Sequence, residues 1–434
     1  MRDMNEPTGT RGIRAAAMGR RAAAAGLLGA AMLAAPGLAR AQEVAVRSFA
    51  TAIVGYSDNA TFQTNDTLRT SASFLELRPG VGLWIDGKRT SEVLAYSLRM
   101  NQVLTDQDNT FTYSNNALFR VTHQVNARDA MTVEVGATQG RTSSFLVLAN
   151  QGGAPLAAGQ PQVVHFVTGH VGETYSHQFT PRVTGFQNII ATAYVPTDTE
   201  STQARSWAVT NMLGLARAWK RDELRGELTT GYAVFDAIRV GGVVTVPRQP
   251  QLLGTATLRW QRDLTPLWQS TLALGATIVA NAEDPANRAW GPYALATLRR
   301  NFRQGSAYVT YSHTVQQNVF IGQTLSVDQL SAGFAVPLDG RGRYLATSAV
   351  SYGRGETLST GQAGVPNTQY TFVQGEAALT WIVSNALRAT GRFTRLQQMG
   401  GSEIGQAPTF NYNAITLEAS VMLPEPRTPI LPPL

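Results

Sequence analysis

The chain runs to 434 residues, with 36 Lys and Arg against 29 Asp and Glu, five His and no Cys. Lacking cysteine, it can have no disulfide, thiolate metal site, covalent haem attachment or cysteine nucleophile, which agrees with export through an oxidising periplasm. The formal charge of +7 sits largely in the first 41 residues, which hold six of the basic and two of the acidic side chains and leave 30 against 27 beyond them; that balance removes the support for a nucleic-acid partner.

Residues 1–41 read as a secretory signal peptide. Arg11, Arg14, Arg20 and Arg21 form a positive region, Ala22 to Ala35 is an apolar run too short to cross a bilayer, and Ala39-Arg40-Ala41 supplies a small-x-small cleavage pattern before Gln42. Met18 offers a second translation start.

Beyond residue 42 the apolar period is two, the signature of strands whose successive side chains point to opposite faces. Candidate strands cover 44–62, 73–86, 91–104, 112–125, 129–145, 163–179, 181–196, 204–219, 222–238, 251–264, 266–283, 289–302, 305–320, 325–338, 342–358, 371–384, 385–399 and 410–423, about eighteen in all, with sixteen the next count. Most exceed both the ~5–6 residues usual in globular sheets and the ~9–11 that a tilted strand needs to cross a bilayer. In 222–238, Leu224, Gly226, Leu228, Tyr232 and Val234 oppose Arg225, Glu227 and Thr229. In 251–264, Leu252, Gly254, Ala256, Leu258 and Trp260 oppose Thr255, Thr257, Arg259 and Gln261. The segments 371–384 and 410–423 divide in the same way, with Glu376 and Glu418 on their polar faces.

Every second connection is tight and polar, among them Asp86-Gly87-Lys88-Arg89, Asn126-Ala127-Arg128, Asp263-Leu264-Thr265-Pro266, Asp339-Gly340-Arg341-Gly342 and Ser384-Asn385, where Asp-Gly and Pro favour turns. The others, such as 146–162, 239–250, 359–370 and 400–409, are longer. Short turns at one end and long loops at the other is the asymmetry of an outer-membrane β-barrel with its termini in the periplasm, and a soluble sandwich has no reason to alternate so regularly. The expected fold is all-β, a transmembrane antiparallel up-and-down barrel over 42–423 in the outer membrane of a Gram-negative bacterium. A Pro-rich periplasmic tail over 424–434 follows, since proline cannot donate to a ladder.

No Gly-x-Ser-x-Gly elbow, His-Glu-x-x-His pair or phosphate loop is present. His165, His170 and His177 fall on one strand, where His165 and His177 share a face but stand too far apart to share a metal; His123 and His313 stand alone. Asp106-Gln107-Asp108-Asn109 begins like a calcium loop but lacks its Gly and closing Glu. Neither a cofactor nor a metal is expected.

A barrel of about eight strands fills its interior with side chains, whereas about sixteen to eighteen leave an aqueous channel. Alternation points Arg99, Arg120, Arg225, Arg259, Arg388 and Arg392, with Glu134, Glu227, Glu376 and Glu418, into that lumen among Thr, Gln, Ser and Asn. A wet wall of mixed sign suits neutral or polymeric polar solutes such as saccharides better than one class of ion; cross-strand ion pairing is the structural alternative for each residue. The uncharged loop 146–162 joins the fifth and sixth strands and reads either as a neutral plug or as an outer tip touching lipopolysaccharide or a partner.

Tyr56-Ser57-Asp58-Asn59, followed by Leu75-Glu76-Leu77-Arg78-Pro79-Gly80, resembles the opening of a family of porin-like outer-membrane barrel proteins found with exopolysaccharide and exosortase systems. The resemblance implies a barrel that lets polysaccharide out, with no catalytic residues to carry over. It also implies a separate periplasmic export partner, because the docking repeats borne by some members are missing. The function expected is passive passage of polar solutes through an outer membrane of lipid and lipopolysaccharide, with polysaccharide export as its specific form. The alternatives are a general small-solute diffusion porin, a structural or adhesive barrel, and an outer-rim hydrolase built from residues distant in sequence.

Overall fold

A computed structural model describes residues 43–59, 71–104, 109–143, 163–197, 205–240, 243–246, 248–318, 323–358, 369–400 and 409–424. The signal segment, Asp106 to Asp108, loop 146–162 and the Pro-rich tail beyond Pro424 lie outside the described residues. The strands are β1 (Glu43–Ser57), β2 (Ala72–Asp86), β3 (Thr90–Leu104), β4 (Asn109–Gln124), β5 (Asp129–Ser143), β6 (Val163–Thr180), β7 (Val183–Pro196), β8 (Ser206–Ala218), β9 (Asp222–Phe235), β10 (Ile238–Val240), β11 (Val243–Val246), β12 (Gln249–Asp263), β13 (Trp268–Asn281), β14 (Arg288–Phe302), β15 (Gly305–Asn318), β16 (Gln323–Pro337), β17 (Tyr344–Thr357), β18 (Gln369–Ile382), β19 (Leu387–Gly400) and β20 (Phe410–Leu423).

Eighteen of these form one antiparallel sheet that closes on itself, because β1 pairs with both β2 and β20 while β9 pairs with β12. The described residues contain no helix. The expected strand count holds, and of the boundaries that shift two have a visible cause. The strand expected over 222–238 stops at Phe235, because Ile238–Val240 pairs with Val243–Val246 in a local hairpin instead of continuing the wall. The strand expected over 44–62 stops at Ser57, where Asp58 turns its amide and carboxylate toward Asn413.

The tight end is held by side chains that replace missing ladder partners. Asn126 Oδ1 accepts the N–H groups of Arg128 and Asp129 at 2.7 and 3.0 Å, and Ser384 Oγ accepts those of Ala386 and Leu387, both at 3.1 Å. Thr265 Oγ1 does the same for Leu267 and Trp268. These are the side-chain turns that Asn, Ser and Thr favour. Asp339 accepts the Tyr344 N–H at 3.0 Å, and such backbone donors hold its carboxyl below the usual carboxylate range. In the same turn Gly342 takes φ +68°, a left-handed conformation that favours glycine.

The outer wall carries an apolar band that includes Leu215, Leu228, Leu258, Leu274, Val309, Leu330, Leu379 and Leu417, all exposed. Aromatic rings rim it at both ends. Phe179, Trp219, Phe302, Tyr344 and Trp381 lie toward the short turns; Tyr56, Phe111, Trp207, Trp290 and Tyr352 lie toward the long connections. Guanidinium groups cap the lower rings, Arg217 over Trp219 at 5.1 Å and Arg300 over Phe302 at 5.1 Å.

One ladder of the wall is interrupted. β14 and β15 pair only from Phe302↔Gly305 to Ala294↔His313, so residues 288–293 have no strand partner on that side. Pro292, just past the last pair, lacks the donor a continued ladder would use. The hairpin β15–β16 stays fully paired to Asn318↔Gln323, and its tip leans into the barrel. There Thr324 Oγ1 meets Gln251 Oε1 at 2.5 Å, although β12 and β16 are separated by three strands of the wall. Val315 lies 3.2 Å from where a Cβ on Gly291 would stand, so the bare backbone of β14 leaves room for the inward lean.

Candidate functional site

The register places one chemical face around the inside of the cylinder. All ten charged residues singled out from the sequence sit on the face opposite the apolar band, in its middle and short-turn half. Arg120 meets Glu134 at 2.6 Å through Nε, and Glu134 is also 3.0 Å from His170 Nε2. Arg225 contacts Glu227 and lies over the Phe186 ring at 3.8 Å, while Thr257 donates to Glu227 at 3.2 Å. Arg259 stands opposite Arg225 in the β9–β12 register. Arg392 is 3.6 Å from Glu376. Glu418 accepts from Ser420 at 3.0 Å, and Arg388 stands opposite Ser420 in the ladder.

Arg99 joins a cluster that the sequence reading did not assemble. Its Nε and Nη2 lie 2.7 and 2.9 Å from the two oxygens of Glu76, which also contacts Arg78. Parity along Glu76-Leu77-Arg78 was the available signal, because the two charges alternate with an outward leucine.

The long-connection half of the inner face is built differently. Phe166, Phe235, Val279, Leu325, Phe372 and Phe410 are buried there, with Gln249, Gln251 and Gln398 among them. Leu325, Val327, Tyr370 and Phe372 make one cluster, and the two rings lie over the backbones of Gly355 and Gly353, where any Cβ would overlap them. The lumen thus passes from paired charges at the tight end to packed apolar and amide groups at the other.

The histidines correct one expectation. His165 and His177 do share a face and His170 the opposite one, but His123 and His313 are not alone. His123 Nδ1 bonds Thr90 at 2.8 Å, and His313 Nδ1 meets Asp328 at 2.8 Å on the outer wall. Adjacent-strand partners cannot be paired from a single sequence without the register, which is why the contact was invisible there. No group of three or more His, Asp or Glu side chains suited to a metal occurs among the described residues.

No protein-family model matches the chain, and no curated protein matches its sequence. Among solved structures the chain is similar to Pseudomonas aeruginosa OccK2 (OpdF) in complex with glucuronate, with a TM-score of 0.47 and 12% identity, covering 88% of this chain and 99% of that one. It is also similar to the copper transporter OprC, at TM-score 0.47 and 9% identity over 88% and 81% of the two chains. Acinetobacter baumannii OccAB3 gives 0.45 and 9% over 87% and 99%. At such identities no residue of theirs transfers to this chain.

Proposed function

We propose that the chain is an outer-membrane channel through which polar solutes pass passively, with both ends of the barrel chain in the periplasm. One observation carries this: a closed cylinder of eighteen strands has an apolar band between two aromatic rims outside and paired Arg and Glu groups inside. Aromatic girdles flanking an apolar band are what the two bilayer interfaces select, and a cylinder this wide encloses water. Glu43 and Leu423 both lie at the short-turn end, the periplasmic end in such barrels. The ten charged inner residues would line the path.

Among solutes, saccharide leaving the cell fits this wall best. Arg99, Arg120, Arg225 and Arg392 each have a carboxylate beside them, which limits the net field, while the Thr, Ser, Gln and Asn groups offer both donors and acceptors for hydroxyls. A periplasmic partner that delivers the polymer belongs to this reading. The packed long-connection half favours a second reading, a structural or adhesive barrel that passes nothing. Swelling of vesicles containing the purified protein, in sugars of graded size, separates them. The channel predicts swelling that falls with sugar size, and no swelling with any sugar sinks it.

A further inference from the structure

Three strands of the outer wall finish in the same way. β8, β12 and β14 all run toward the short turns, and each carries an arginine one or two residues before its end: Arg217, Arg262 and Arg300. Alternation and register put all three on the face of the exposed Leu215, Leu258 and Leu298. Each guanidinium lies over an outward ring, Arg217 over Trp219 at 5.1 Å, Arg262 over Trp260 at 5.9 Å, and Arg300 over Trp268 and Phe302 at 5.2 and 5.1 Å. A ring face beneath a guanidinium holds it at the depth of the girdle without taking up its N–H donors, so these stay available to an anion.

The arrangement is confined to this stretch of wall. Elsewhere along the same rim Tyr344 stacks on Trp381 at 6.2 Å, and Phe179 meets His177 edge-on at 4.6 Å. Among the described residues no guanidinium lies over a ring of the long-connection rim. The strands follow one another around the wall as β8, β9, β12, β13 and β14. Neighbouring strands lie about 4.8 Å apart, so the three arginines stand roughly 10 Å from one to the next, each within reach of a separate ligand group.

Charge and surface together select the ligand. The turns beyond the arginines add Lys220, Arg221 and Arg303, all exposed. Among the described residues the one carboxylate on the outer face here, Asp222, is already taken: Trp260 Nε1 donates to it at 3.0 Å, and Arg262 stands 3.7 Å away. Arg217 and Arg300 have no carboxylate beside them. A headgroup that carries its own ammonium would meet only cations, whereas a phosphate without one meets guanidinium groups that bind it in a two-pronged way. Above the arginines Leu215, Leu272 and Leu298 are exposed, an apolar surface on which acyl chains can lie.

We infer that the outer wall from β8 to β14 is a binding site for anionic phospholipid of the periplasmic leaflet. Arg217 and Arg300 hold the lipid phosphates, Arg262 flanks them, and the acyl chains lie on the leucines above. The leaflet rests on the outer-membrane reading above, with the short turns periplasmic; passage of solutes plays no part in the site. Basic side chains beside an anionic lipid surface each add to the hold, which is why the turn cations reinforce the arginines.

The full protein is folded into vesicles of equal parts phosphatidylglycerol and phosphatidylethanolamine with the same acyl chains, extracted in a neutral detergent and weighed intact by native mass spectrometry. Phosphatidylglycerol should be enriched among the lipids that stay bound. Arg217→Gln and Arg300→Gln should each lower the enrichment about fivefold, while Arg341→Gln, in the turn between β16 and β17, should leave it unchanged. Heat-modifiable gel mobility of each variant shows that the barrel is intact. Equal retention of the two lipids by the parent overturns the proposal, as does enrichment that survives both substitutions together or falls equally in Arg341→Gln. Displacement of the lipid by inorganic phosphate at equal concentration makes the ligand a free anion and overturns it as well. A parent that inserts without selectivity loses the site alone; one that does not insert overturns the outer-membrane reading with it.

Discussion

Asp58 accepts two hydrogen bonds from Asn413, 2.8 Å from its main-chain nitrogen and 2.6 Å from its side-chain nitrogen, across 355 positions of the chain. Asn59 adds a bond from its Nδ2 to the Asn411 carbonyl at 2.7 Å. Together they clasp the long-connection end of the β1–β20 ladder, which has only ten register pairs against fifteen between β1 and β2. The Tyr56-Ser57-Asp58-Asn59 motif is thus a device for closing the cylinder. Asp58→Ala should cost about 2–3 kcal/mol, since hydrogen bonds to a charged group are among the stronger ones. A lowered urea midpoint in lipid vesicles checks it, and an unchanged midpoint contradicts the clasp.

The second motif, Leu75 to Gly80, holds Glu76, whose side chain is 5% exposed between Arg99 and Arg78. Glu76→Gln leaves two inner guanidinium groups without their carboxylate. Stability should fall by about 3 kcal/mol, as for other broken buried pairs, and Arg99→Met in the same chain should restore part of it. The reversal potential under a salt gradient should also move toward anion preference. A single variant as stable as the parent would count against the cluster.

Gly353 and Gly355 act as seats for Phe372 and Tyr370. Replacing either with Val forces its ring off the β17 backbone and into a packed cluster, at an expected cost of about 1–3 kcal/mol. Unfolding followed by tryptophan fluorescence would read this loss. Gly375, where a Cβ meets nothing within 4 Å, is the control that should tolerate Ala.

The inward lean of the β15–β16 tip predicts proximity across the lumen. Gln251→Cys and Thr324→Cys in one chain should be joined by a short bis-thiol reagent, seen as a mobility shift of the unfolded protein. Gln261→Cys with Thr324→Cys should not be. A tip that stood in the wall would leave both pairs unjoined.

Most of the barrel could be read from alternation alone, because a strand between lipid and water must change character at every residue. Leu258 and Arg259 show this on adjacent positions. Three things escaped that reading. The β10–β11 hairpin starts three residues after Phe235, so Ile238 reads as the end of β9 and 239–250 as a loop. The contacts of His313 with Asp328 and Ser326 depend on register between strands, which period two does not fix. The packed half of the lumen escaped because Phe372 and Leu325 are apolar at inward positions where the pattern asks for polar groups, and only their neighbours explain them.

The central claim, one wall toward hydrocarbon and the other toward water, is tested most directly by single cysteines along β12, because the chain has none of its own. In lipid vesicles a charged maleimide should label Thr255→Cys, Thr257→Cys and Gln261→Cys while Ala256→Cys, Leu258→Cys and Trp260→Cys stay unreactive until detergent is added. Equal labelling along the strand, or labelling of the other set, would contradict it.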